Sequence, residues 1–97
     1  MTVGIYKFEC DYGRSGTLSG IFTATAEQIE RLKKQHISLG EALGKHSEVY
    51  FEPGELEDHV ILVTTDQNAI IYFDRYGLHS GYDLTWYLED EEWLKNS

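Results

Sequence analysis

The feature that most constrains the fold is a pair of alternating segments joined by a glycine-containing turn. Residues 3–10 place Val3 and Ile5 on one side and Tyr6 and Phe8 on the other, which is the two-residue period of a strand. Residues 11–16 have the composition of a turn, and residues 17–23 have the composition of a returning strand. The sequence therefore predicts an N-terminal β-hairpin and, with it, an antiparallel sheet.

The remaining elements follow from caps and apolar spacing. Thr25 and Gln28 have capping-box spacing and predict a helix from Ala26 to about Gln35. Residues 36–43 and 48–52 predict short strands, although Ser38 and Glu41 also have capping-box spacing and could open a helical turn instead. The continuous apolar run at 59–65 predicts a central strand.

Two further helices are predicted near the C-terminus. Asp66 can cap a helix with an apolar stripe that ends near Gly77, and Asp83 can cap a last segment after a loop at 78–81, with Asp90 opening one more turn. Residues 1–97 are thus expected to form a single α+β domain. It would have a mainly antiparallel sheet of four to five strands, two to three helices on one face, and the order β-β-α-β-β-β-α-α.

Several classes of protein are disfavoured by composition. Cys10 is the single cysteine, so an internal disulfide is excluded. The longest apolar stretch, Ala69 to Phe73, is far too short to span a membrane, and the N-terminal residues lack signal-peptide character. The four histidines are not spaced as metal ligands. We expect a cytoplasmic protein that is not an enzyme, binds no metal or cofactor, and associates with neither membranes nor nucleic acid.

The excess negative charge lies entirely in the second half of the chain. Residues 1–47 hold six basic and five acidic side chains, a net charge of +1, whereas residues 48–97 hold two basic and 12 acidic ones, a net charge of −10. Such a chain repels nucleic acid and anionic membranes and is attracted to cationic surfaces. Solubility alone is the competing explanation.

The acidic residues form two clusters that predict a partner-binding surface. The first cluster lies at 52–58 and the second at 89–92, where tryptophans flank it. Aromatic side chains are enriched at interface hot spots, so nearby aromatic residues are predicted to anchor the partner. The predicted contact residues are Glu52, Glu55, Glu57, Asp58, Tyr82, Asp83, Trp86, Glu89, Asp90, Glu91, Glu92 and Trp93.

A polar motif at 44–48 is the rival candidate site. Its residues are Gly44, Lys45, His46, Ser47 and Glu48. Lys45 and backbone N–H groups could bind an anion, with His46 as an acid or base. The segment does not match a phosphate loop, because a histidine follows the Gly-Lys pair. A tight loop with local side-chain to backbone hydrogen bonds is the alternative.

This motif, preceded by residues 39–43 and accompanied downstream by residues 80–83, resembles a group of short uncharacterised proteins encoded by phages and prophages. The resemblance implies a context: small acidic phage proteins without catalytic motifs are often inhibitors of host machinery, including CRISPR effectors and restriction enzymes. Several such families place carboxylates where DNA phosphates would sit.

The sequence thus favours a phage-encoded acidic inhibitor of a host defence or nucleic-acid-binding protein, acting as a monomer or homodimer on a basic surface. Two alternatives remain open. One is an immunity or antitoxin protein directed against a basic nuclease toxin. The other is a protein that binds a small molecule or nucleotide through residues 44–48.

Overall fold

The computed structural model describes residues 3–40 and 48–88. The α+β class and the mainly antiparallel sheet are confirmed, and the order broadly matches the predicted one. The strands are β1 Val3–Asp11, β2 Thr17–Thr25, β3 Ile37–Gly40, β4 Val49–Phe51, β5 Val60–Thr64 and β6 Ser80–Gly81. The α-helices are α1 Ala26–Lys34 and α2 Gln67–Arg75, and 3₁₀ helices lie at Gly13–Ser15, Leu56–His59 and Leu84–Tyr87.

The predicted hairpin is the longest pairing among the described residues. β1 and β2 pair in unbroken antiparallel register from Val3 opposite Thr25 to Asp11 opposite Thr17. At the turn, the carboxylate of Asp11 accepts a hydrogen bond of 2.8 Å from the backbone N–H of Gly13, whose φ of 63° suits glycine. Local turn chemistry therefore fixes the register of the whole hairpin.

The hairpin forms the centre of the larger of two sheets. One has four strands in the order β5-β1-β2-β6, and β3 pairs with β4 in a separate two-stranded sheet. The prediction of a central strand at 59–65 is wrong, because β5 lies at the edge of the larger sheet that the described residues form. Ile61, Leu62 and Val63 are exposed, so the apolar run does not reflect burial on both faces. Continuous apolar character alone does not distinguish a buried strand from an exposed one.

The two α-helices pack on opposite faces of the larger sheet, contrary to the expectation of helices on one face. Ile29 and Leu32 of α1 join the larger core cluster with Phe8 and Phe22, which are fully buried. Ile70 and Phe73 of α2 pack instead around Ile5, which lies on the other side of β1. The short β3–β4 sheet contributes to the same core cluster as α1 through Ile37, Val49 and Phe51.

Both α-helices begin where their caps predict. The hydroxyl of Thr25 accepts a hydrogen bond from the backbone N–H of Gln28, whose side chain accepts one from the backbone N–H of Thr25. The carboxylate of Asp66 accepts a hydrogen bond of 2.9 Å from the backbone N–H of Asn68 at the start of α2. Each helix thus satisfies part of its unpaired N-terminal donors.

The predicted loop at 78–81 contains the short strand β6, which pairs with β2 at Gly20 and Ile21. Asp83 then caps the 3₁₀ helix Leu84–Tyr87, in which Leu84 is fully buried. The predicted C-terminal helix is thus a single 3₁₀ turn within the described residues, and the turn expected after Asp90 lies outside them. Neither α1 nor α2 is long and apolar enough to cross a bilayer, nor is any other described helix.

Candidate partner-binding surface

The first acidic cluster, Glu52, Glu55, Glu57 and Asp58, lies in the connection between β4 and β5 and is called the acidic turn below. All four side chains are exposed. The connection passes through the 3₁₀ helix Leu56–His59, which packs against β1, β5 and α1. The predicted first cluster is therefore one continuous surface feature, directed at solvent and supported from beneath by the sheet and a helix.

The acidic turn has a defined conformation. Leu56 is buried in the core, so it anchors the segment between two exposed pairs of carboxylates. The carboxylate of Glu55 accepts a hydrogen bond of 2.9 Å from the backbone N–H of Glu52, and the backbone N–H of Glu55 donates one of 2.9 Å to the carbonyl of Glu52. The backbone N–H of Gly54 donates to the carbonyl of Lys33 at 2.7 Å, which ties the turn to the end of α1. A segment held in this way loses little conformational entropy when a partner binds.

A histidine lies at one end of the acidic turn. Nδ1 of His36 is 3.3 Å from a carboxylate oxygen of Glu52, and the ring of His36 stacks on that of Tyr50 with centroids 5.7 Å apart. His36 and Glu52 are both about half exposed, so a charged pair here contributes little to stability. The contact nevertheless brings an aromatic side chain, Tyr50, to the border of the acidic turn.

The structure adds an acidic residue that the sequence analysis did not assign to the site. Glu9, exposed on β1, lines an open groove together with Asp58, His59, Lys7 and Ile61. Antiparallel pairing of β1 with β5, with Phe8 opposite Val60, brings Glu9 to the acidic turn. The alternation of β1 marked Glu9 as solvent-facing, but only the strand order shows which residues lie beside it.

Tyr12 lies between the end of β1 and the hairpin turn. Burial is the largest of the causes that together raise the pKa of Tyr12 to about 12, and a side-chain hydrogen bond with Cys10 and electrostatic interactions with Cys10 and Glu55 act in the same direction. The negative surface itself includes residues from both halves of the sequence, because Glu9 of β1 lies beside Asp58.

The three predicted contact residues near 82–86 differ in environment. Trp86 is 73% exposed, the highest value among the large apolar side chains described. Tyr82 is half-buried and packs against the larger core, and the carboxylate of Asp83 accepts a hydrogen bond of 2.9 Å from the backbone N–H of Thr85. Trp86 is thus available to a partner, whereas Tyr82 and Asp83 have structural roles within the chain.

Trp86 and the acidic turn lie at different places around α1. The 3₁₀ helix that follows Asp83 packs against β2 and α1, while the 3₁₀ helix of the acidic turn packs against β1, β5 and α1. The two features belong to the layer that covers the same face of the sheet, with α1 in contact with both. Both features therefore lie next to α1.

The other predicted site residues lie largely outside the described part of the chain. This holds for the second acidic cluster and its tryptophan, Glu89 to Trp93, and for Gly44, Lys45, His46 and Ser47 of the polar motif. Glu48 alone of that motif is described, and it is exposed immediately before β4. The candidate surface therefore consists of residues 52–58 and their described neighbours.

The chemistry of the described surface is electrostatic. Within residues 3–40 and 48–88, no three His, Cys, Asp or Glu side chains are grouped as metal ligands, and no polar or charged residue is buried. Two of the described histidines, His36 and His79, contact exposed carboxylates, Glu52 at 3.3 Å and Asp74 at 3.0 Å. Exposed carboxylates on a fixed turn are suited to pairing with Lys or Arg side chains of another molecule.

Comparisons with family models, with curated proteins and with solved structures gave no match to this chain.

Proposed function

We propose that this protein is a phage- or prophage-encoded inhibitor that binds a basic surface of a host defence or nucleic-acid-binding protein in the host cytoplasm. The observation that supports this proposal is the acidic turn: four exposed carboxylates on one connection whose backbone is fixed by Leu56 and by hydrogen bonds. A rigid negative surface can occupy Lys and Arg side chains that otherwise contact nucleic-acid phosphates.

The surroundings of the acidic turn support a protein partner. Glu9, whose carboxylate also pairs with Lys7 at 3.4 Å, lies beside Asp58, and Tyr50 lies next to the Glu52 end through its contact with His36. Interfaces combine charged positions that speed association with aromatic positions that stabilise the bound state. In this proposal the carboxylates select a cationic target, and exposed rings at the border add apolar contact.

The test is a plating assay in bacterial strains that each contain one defined CRISPR effector or restriction enzyme. Expression of the protein should raise the plating efficiency of a targeted phage in at least one strain. The variant E57Q/D58N removes two carboxylates of the acidic turn and should lose this effect. Close interfacial charge pairs contribute about 1.5 kcal/mol or more each, so binding should weaken by about a hundredfold or more.

The matched control is E27Q/E30Q, which changes net charge by the same amount at two exposed positions of α1. It should retain inhibition, and thermal unfolding should show that both variants fold. Equal loss of inhibition in both variants would contradict a specific role for the acidic turn. No effect in any strain, combined with protection of cells from a co-expressed basic nuclease toxin, would favour the antitoxin alternative instead.

A further inference from the structure

The edge strand β5 presents an unused row of backbone hydrogen-bonding groups. Among the described residues, β5 pairs with β1 on one side and has no strand on the other. In an antiparallel pair, alternate residues direct their N–H and C=O groups towards the neighbouring strand, and the residues between them direct theirs away. The outward groups of β5 can therefore accept another strand.

The side chains of β5 are also unusual for an edge. Ile61, Leu62 and Val63 are 60%, 51% and 50% exposed. Successive side chains of a strand point to opposite faces, so apolar surface is exposed on both sides of the sheet at this edge. A further strand placed against β5 would cover part of each side chain and add cross-strand apolar pairs.

The usual protections of an edge strand are absent from most of β5. Residues 60–65 contain no charged residue and no proline, which are the features that commonly prevent edge-to-edge pairing. One irregularity occurs opposite the Ile5–Tyr6 step of β1, after Leu62, and it leaves Val60 to Leu62 in regular register. The opposite edge of the sheet is less suited to pairing with another strand, because β6 is only two residues long.

We infer that β5 pairs with β5 of a second copy of this chain in an antiparallel dimer that joins two four-stranded sheets. A strand that pairs antiparallel with itself satisfies two-fold symmetry, so both copies use the same surface. If the two-fold axis passes at Ile61, Asp58 of one copy lies opposite Thr64 of the other. The carboxylates of Asp58 and Asp66 then do not lie directly opposite each other. β5 contains no charged residue, so it cannot form an ion pair with a basic partner. For the same reason, two β5 strands can lie side by side without charge repulsion between their side chains.

The dimer should be of moderate strength and should tighten as salt increases. A single short strand pairing belongs to the small interfaces of under about 1,200 Å², which are typically weak. We therefore expect a dissociation constant of about 1–100 μM. Each copy has a net charge of −9, so added salt screens their mutual repulsion. Binding of the acidic turn to a basic target should show the opposite salt dependence, which separates the two proposals.

Sedimentation equilibrium on the purified chain, from about 1 to 500 μM and at two salt concentrations, tests the inference. The mass should rise with concentration from the 11.2 kDa of one chain towards twice that value. I61E should weaken dimerisation by at least about tenfold, because two carboxylates would meet at the centre of the interface. In the monomer the new carboxylate would lie opposite Lys7 of β1, which favours folding of this variant.

The matched control is I71E, which makes the same substitution at a side chain of almost equal exposure, 61%, on α2. It should leave the dissociation constant unchanged. A wild-type chain that stays monomeric throughout the range would overturn the inference, as would equal weakening by both variants. If I61E does not fold, hydrogen exchange of the wild-type chain decides instead: amides of β5 should become more protected as concentration rises, and unchanged protection would refute the dimer.

Discussion

At the scale of single residues, a close approach of two backbone segments depends on glycine. β2 and β6 meet at Gly20 and Gly81, and the backbone N–H of Tyr82 donates to the carbonyl of Ser19 at 3.0 Å. A Cβ atom at Gly20 would overlap the backbone of Tyr82, and one at Gly81 would overlap the carbonyl of Ser19. This contact positions the segment that leads to Asp83 and the exposed Trp86.

The substitution G20A should therefore destabilise the chain by more than about 3 kcal/mol, since the clash is with backbone rather than with a side chain that can rotate. The control is G13A, at a position with φ of 63° and open space around it, which should cost about 1–2 kcal/mol from backbone strain alone. Urea denaturation of both variants measures the difference. Equal losses would show that the β2–β6 approach is not as close as described.

Sequence alone did not identify this role for Gly20. Gly20 lies within a segment whose composition predicts a strand, and nothing in that segment marks the glycine as a contact point. The two residues of β6 are too few to give a periodic signal. The close approach depends on where a distant segment returns to the sheet. By contrast, the sequence predicts a turn at Gly13, because the residue that accepts its N–H hydrogen bond, Asp11, is only two positions away.

At the scale of elements, local capping signals in the sequence predict where the α-helices begin. The capping box of Thr25 and Gln28 and the cap at Asp66 predicted where α1 and α2 begin. The position of β5 in the sheet was predicted incorrectly, because it depends on which strand lies beside it and not on its own composition. The placement of α2 on the second face also depends on tertiary packing, through Ile5 on the reverse side of β1.

The cap of α1 gives a prediction at this scale. T25A removes the hydroxyl that accepts from Gln28 and should lower the free energy of unfolding by about 1 kcal/mol. T25S, which keeps a hydroxyl at the same place, should recover most of that loss. Chemical denaturation with matched slopes provides the comparison, and full stability of T25A would contradict the capping role.

At the scale of the whole molecule, part of the excess negative charge of the second half forms one exposed surface feature. The acidic turn collects four carboxylates of the second half, and the pairing of β1 with β5 brings Glu9 of the first half beside them. The sequence predicted the cluster at 52–58 because consecutive polar residues around a single buried leucine are recognisable locally. It did not predict Glu9, which reaches the site only through strand pairing.

The central claim is that the acidic turn binds a cationic protein surface. The most direct measurement is the affinity for the target found by the plating assay, determined by calorimetry from about 50 to 500 mM salt. We predict that the affinity of the wild-type chain falls by at least about tenfold over this range. E57Q/D58N should show a shallower salt dependence, and E27Q/E30Q should match the wild type. An affinity that does not change with salt, or a salt dependence that E57Q/D58N leaves intact, would contradict the claim.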